Sequence, residues 1–316
     1  MTEPRLHAHL ERLGPLLARI ADCKRIRTAR EPTRSFASRR FAGAWSALAA
    51  IDPGAPLGPA VTAIATREAA AALLSVSLAG VDAHALRRGG LDDAAIGDVV
   101  TRAIDQAARA LAPAWRERLV AAVPALLAEP ETPICRLAFV RPLQDQPRAG
   151  ATHPSEPRLI LEPPESHADH AWAVATSAVL IAGDLGADPA APFLAGLGHH
   201  LHNAELPDAG FAGEELLGSR LGPLVARLTE SALACLPIPL AAEVRASFEL
   251  LPAADSISAM AFHAADVVDR VLEVVHFDRV ARFRKEHALD ALGLVHPGPL
   301  KPFQDRVLSA TGLVPR

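Results

Sequence analysis

Three histidines, His199, His200 and His202, fall within four positions at the end of an apolar stripe. They lie in the run FLAGLGHHLHNAELPDAGFAGEE, residues 193–215. Phe193, Leu194, Leu197 and Leu201 recur at helical spacing, and residues three, four and seven apart share one helix face. Phe193, Leu197 and His200 therefore point inward together. A buried imidazole needs a hydrogen-bond partner or a metal for its ring nitrogens. One such histidine is usually a satisfied core residue. Three in four positions, followed by Asn203, Glu205 and Asp208, point to a metal-binding or catalytic cluster.

The rest of the chain must supply a helical setting for this cluster. Ala and Leu dominate, β-branched runs are short, and 50% of the residues are hydrophobic. That composition predicts a mostly helical protein with a large core. Its 316 residues are enough for about two domains. Tyr is absent and aromatics make up 4%, which argues against base stacking on nucleic acid. A formal net charge of −4 offers no general attraction to nucleic acid or an anionic membrane. Cys23, Cys135 and Cys235 are far apart and odd in number, which fits reduced thiols better than a disulfide framework. The N-terminal residues lack an apolar signal core, and no apolar run approaches a membrane span, so the expected location is the cytoplasm.

Apolar steps predict helices over residues 5–30, 36–50, 59–78 and 92–107, and a further one from Pro113 to about Ala128. Glu68 and Arg67 are placed on the exposed side of the third. The basic stretch Lys24, Arg25, Arg27, Arg30, Arg34, Arg39 and Arg40 reads as a solvated face. Residues 1–130 thus form an N-terminal helical domain without a catalytic constellation of its own. Residues 131–165 change character, with eight prolines between 130 and 165. Two short apolar runs there, 134–140 and 158–161, are expected to pair as a small β-hairpin within a linker. Residues 166–316 form a second helical domain. Its helices are expected from Ser166, from Asp188, and over about 213–234, 239–250 and 255–283, before a proline-rich tail.

Three pieces of the second half carry ionisable groups on otherwise apolar helices: His170 in DHAWAVA, the pair His199-His200, and Asp266 in FHAADVVDRVLE. Helices that project His and carboxylate side chains inward are a common way to hold a metal. In order and spacing these pieces resemble the HD-domain superfamily of metal-dependent phosphohydrolases, over about residues 160–285. That family is all-α. It places a first His on one helix, a His-Asp pair on the next and a distant Asp on a later one. His200 stands where the family has the Asp of the pair. Glu205, Asp208, Glu214 and Glu215 are alternative sources of a carboxylate.

The resemblance implies that His170, His199, His200 and Asp266 hold one divalent ion, with Mn, Mg, Zn, Fe and Ni not distinguished. The ion lowers the pKa of a water molecule and polarises a phosphoryl oxygen. His202 or Asp208 then moves the proton, and Arg270, one turn after Asp266, neutralises the phosphate. The implied activity is hydrolysis of a nucleotide or another small phosphate ester. The alternatives are a catalytically reduced signalling or binding module of the same fold, favoured by His200, and an iron-dependent oxygenase of the HD type. A small phosphorylated molecule is the expected partner, with no nucleic acid and no membrane. A homo-oligomer is left open.

Overall fold

The computed structural model describes residues 3–28, 31–129, 135–153, 156–159, 162–252 and 254–281, together with 301, 302 and 305. The fold is all-α, with one small antiparallel hairpin among the described residues. Residues up to Leu272 form one compact unit and Glu273–Arg316 another.

In the first unit, α1 (Glu3–Ala21) runs into a 3-10 turn at Asp22–Lys24. It stops several residues short of the predicted end, and the basic stretch begins in the turn. Ser35 caps α2 (Phe36–Ala49) by accepting the N–H of Ser38, as short polar side chains do at helix starts. Next come α3 (Leu57–Leu78), α4 (Ala83–Arg88) and α5 (Asp93–Ala107), the last two capped by Asp82 and Asp92. Pro113 opens α6 (Pro113–Ala121), followed by α7 (Val123–Leu127) and α8 (Val140–Asp145). Among the described helices, α3 alone is long and apolar enough to cross a bilayer. It is a core helix here, with 67% of its most apolar window buried.

The hairpin pairs β1 (Ala151–His153) with β2 (Glu156–Leu159). This corrects the strand expected over 134–140. Residues 135–139 have no strand, and Val140 opens α8. A short apolar run buried by tertiary packing has no period that separates strand from helix. Phe139, Val140 and Leu143 face the core, with Phe139 edge-on to Trp45 at 5.0 Å.

At the centre lies α9 (His167–Asp184), buried along its whole length. Helices α1, α2, α3 and α10 (Ala190–Gly198) all pack against it. The segment 131–165 is therefore no break in packing. A helix apolar on every face needs neighbours on every face, and three of these four come from the first 80 residues. One hydrophobic core runs from Leu13 and Trp45 through Trp172 to Phe193 and Phe262. After α10 follow α11 (Gly210–Leu217), α12 (Leu221–Leu233), α13 (Ile238–Ser247) and α14 (Ile257–Ala281). The single helix predicted over 213–234 is broken at Gly218, whose φ of +51° only glycine adopts readily.

Two placements of charge differ from expectation. Glu68 is buried, not exposed. Its carboxylate accepts hydrogen bonds from Arg40 at 2.7 and 2.9 Å and from Trp172 Nε1 at 3.0 Å. Lys24 is 4% exposed, so the basic stretch is not simply a solvated face. In the second unit, Lys301 pairs with Asp305 one turn on, at 2.5 Å. The predicted tail structure otherwise lies outside the described residues.

Helices α9 and α10 approach closely at Gly196, where an added Cβ would sit 2.5 Å from Ala175 Cα and 2.7 Å from its N. Backbone on the far side cannot swing away as a side chain can. Gly196→Ala should destabilise the protein by about 2–3 kcal/mol in urea unfolding. An unchanged midpoint would mean that the helices do not meet there.

Candidate metal centre

The cluster is assembled by three local devices. Ser166 forms a capping box with Asp169, each side chain bonded to the other's backbone N–H at 3.1 Å. This starts α9 at His167 and sets His170 in its first turn, fully buried. Helix α10 ends at Gly198, and the chain leaves helical geometry at His200, with φ −112° and ψ 20°. Asp266 and Asp269 lie three apart on α14, so both face the same side.

The structure brings His170, His199, His200 and Asp266 together. One ring nitrogen of each of the three histidines lies within 4.8 Å of the others. His170 Nε2 is 3.3 Å from His199 Nε2 and 3.3 Å from Asp266 Oδ1, which is 3.9 Å from His199 Nε2. The opposite nitrogen of each ring is already committed. His170 Nδ1 faces Asp269 Oδ2 at 2.8 Å, and His199 Nδ1 faces the Gly196 carbonyl at 2.9 Å. His200 Nδ1 faces Asn203 Oδ1 at 3.0 Å, and the Asn203 amide is turned by donating to the Leu206 carbonyl at 3.0 Å.

All three of those partners only accept, so each Nδ1 carries a hydrogen and each neutral ring keeps its Nε2 lone pair. Three lone pairs and a carboxylate then face one region with no donor among them. A cation satisfies that set, and three imidazoles with one carboxylate are an ordinary ligand set for a divalent metal. The residues fit such an ion.

Residues that the sequence did not single out support the centre. Lys24 Nζ donates to Glu165 Oε1 at 2.7 Å and to Asp269 Oδ1 and Oδ2 at 3.0 and 3.1 Å. Glu165, His170 and Asp269 also satisfy the spacing for a metal, but the Lys24 ammonium already holds those two carboxylates. Arg148 places Nη1 3.5 Å from His200 Nε2 and Nε 3.3 Å from Glu165 Oε2. Asp269 had a visible signal in its i,i+3 spacing from Asp266. Lys24 and Arg148 had none.

The remaining sequence candidates lie around this core. Asp208 accepts the backbone N–H groups of Ala149 and Gly210, each at 2.9 Å, and sits 3.9 Å from His167 Nε2. His202 lies on the 3-10 turn Leu201–Ala204, its ring 5.8 Å from that of His200, and its buried Nδ1 has no partner among the described residues. Arg270 reaches Asp266 Oδ2 at 3.3 Å, but its side chain is 55% exposed. Glu205, Glu214 and Glu215 are exposed.

Burial sets the electrostatics. It pushes His199 down to about 3, with His170 adding to the effect, and it pushes His167 to about 3, with Arg148 adding. His200 is also well below the ordinary range, by burial and then His199. Burial would raise Asp266, but the neighbouring His170, His199 and Arg270 outweigh that and bring it to about 2. Asp269 is likewise held low. Burial opposes this, but the Lys24 charge and the His170 hydrogen bond prevail.

Compared with known proteins, the chain matches no family model, no curated protein and no solved structure.

A pH dependence follows for the metal-free protein. His167 and His199 take up protons near 6.5 when unfolded but only near 3 when folded. Between those values the unfolded chain binds more protons, so stability falls as pH falls. The loss should be about 2 kcal/mol per histidine from pH 7 to pH 5. Asp266, at about 2, adds nothing in that window. Thermal unfolding with chelator present should show a falling Tm over this range, flatter in His167→Gln. A parent Tm that does not change from pH 7 to 5 would refute it.

Proposed function

We propose that the protein is an HD-domain-like, metal-dependent phosphohydrolase acting on a nucleotide or another small phosphate ester. The observation that carries this is the donor set. His170, His199, His200 and Asp266 come from separate parts of the helical core, and every imidazole N–H is turned away from their common point. Three nitrogens and one oxygen favour a borderline ion such as zinc, iron or nickel over magnesium. Such an ion supplies Lewis acidity, activating water and polarising a phosphoryl oxygen.

The chain's own groups divide the remaining work. Asp269, the Gly196 carbonyl and Asn203 fix the ring orientations. Lys24 keeps Asp269 ionised and in place. Proton movement falls to His202, whose Nδ1 is uncommitted, because Asp208 is tied to two backbone N–H groups.

One observation favours a second reading, a binding module of the same fold with little turnover. His200 replaces the carboxylate of the family's His-Asp pair, and an imidazole cannot bridge two ions or take a water proton as a carboxylate does.

Protein purified without added metal should carry about one transition ion per chain by elemental analysis. His170→Ala and Asp266→Ala should each lower zinc affinity at least tenfold. His200→Asp adds a negative oxygen ligand, so it should bind Mn²⁺ more tightly and hydrolyse an aryl phosphate faster than the parent. A parent stripped of metal by chelator that then takes up no zinc in calorimetric titration defeats the metal reading. Metal uptake without turnover, restored by His200→Asp, selects the binding module.

A further inference from the structure

We propose that Arg148 forms an oxyanion subsite beside the metal centre, receiving a phosphoryl oxygen of the substrate. The inference rests on the metal reading above and adds the group that recognises the anion.

The backbone aims this residue. Arg148 N–H donates to the Glu165 carbonyl at 2.8 Å, and Ala149 N–H to Asp208 Oδ2 at 2.9 Å. On the other side His167 N–H donates to the Gln146 carbonyl at 3.2 Å, and Pro147 bridges to Ser166. The strap is thus fastened to the entry of α9 and to the loop holding Asp208. The guanidinium is largely enclosed, with 19% of the side chain exposed.

Its direction is informative. Nη1 faces His200 Nε2 at 3.5 Å, which is the lone pair that a metal takes. Once that nitrogen ligates an ion, the Nη1 hydrogen has lost its acceptor and points at the space beside the ion. Two cations at such range repel unless an anion lies between them. Glu165 meets Arg148 through Nε, 3.3 Å from its Oε2, and its Oε1 is held by Lys24 at 2.7 Å, so it leaves Nη1 to another anion. An oxyanion with one oxygen on the metal and another on Arg148 satisfies both cations.

A second observation lies on the same side. His167 is 1% exposed, and neither of its ring nitrogens has a partner among the described residues. Its ring lies 5.1 Å from that of His200, and Nε2 is 3.9 Å from Asp208, too far for a hydrogen bond. A buried imidazole is costly in that state, and a ligand oxygen or hydroxyl in the gap would satisfy it. A tetrahedral phosphoryl group has enough oxygens to meet the metal, Arg148 and this ring together. Arg270, exposed and engaged with Asp266, is on the solvent side of the carboxylate and is not part of the subsite.

The test uses the zinc-loaded full chain and inorganic phosphate as probe, with zinc stoichiometry measured on every sample. Phosphate affinity should fall about 30-fold in Arg148→Gln, with one zinc per chain retained. Arg148→Lys should recover part of it, because the charge remains but the fork does not. Arg270→Gln should stay within about threefold of the parent. Acetate should bind the parent more weakly than phosphate. Unchanged phosphate affinity in Arg148→Gln, loss in Arg270→Gln instead, or loss of zinc in Arg148→Gln would each overturn the subsite. A parent without zinc defeats the metal reading itself, which the stoichiometry separates from failure of the subsite.

Discussion

Helix α9 has no solvent-facing side, and the architecture of the first unit answers that constraint. Its apolar residues require neighbours all round, which draws α1, α2 and α3 onto it from one side and α10 from another. Its polar residues require partners as well, because each is buried. Ser35 donates to Asp169 at one end. Asp184 at the other accepts from Arg12 at 2.6 Å and from the Ala112 N–H at 2.5 Å. Midway, Trp172 donates to Glu68. These bonds are directional where the apolar contacts are not, so they set the register of α9 among its neighbours. The position of His170 follows from that register.

A chain of acceptors then decides the chemistry. Lys24 is the cation that lets Asp269 stay ionised away from water. An ionised carboxylate only accepts, so His170 must present a hydrogen on Nδ1 and a lone pair on Nε2. Gly196 and Asn203 impose the same tautomer on His199 and His200. Gly196 has a double role, because its missing side chain also allows α10 to reach α9. Lys24 and Asp269, far away in sequence, and Gly196 and Asn203, close by, therefore orient the rings before any ligand arrives.

The all-α class was legible because Ala-rich and Leu-rich steps of three and four repeat through most of the chain. His170, His199, His200 and Asp266 were legible as ionisable groups on apolar stripes, and they do converge. The supporting shell was not legible. Lys24 sits in a run of basic residues, and nothing local says that its partner is Asp269, 245 positions on. Arg148 lies among prolines without periodicity. Asp269 and Asp266 share a face, so spacing alone could not rank them. Glu68 looked solvent-facing because its three partners, Arg40, Arg67 and Trp172, are supplied by tertiary contact and by an adjacent residue with no helical offset. The hairpin was misplaced because an apolar run of seven residues has no distinguishing period.

In the proposed centre, an imidazole at residue 200 in place of a carboxylate would shift the site along a single physical scale. With Asp269 offset by Lys24, Asp266 is the one anionic ligand facing the proposed metal position among the described residues. A divalent ion there stays cationic overall, and Arg148 adds to the field. Such a centre would attract a phosphate dianion more strongly than one with two carboxylates. It would also hold the anionic product more strongly, with one basic oxygen fewer to take the proton of water. Anion affinity would rise while the proposed chemical step and product release both slowed. On the proposed reading, enzyme and binding module would be two positions on that scale, and the identity of residue 200 would move the protein between them.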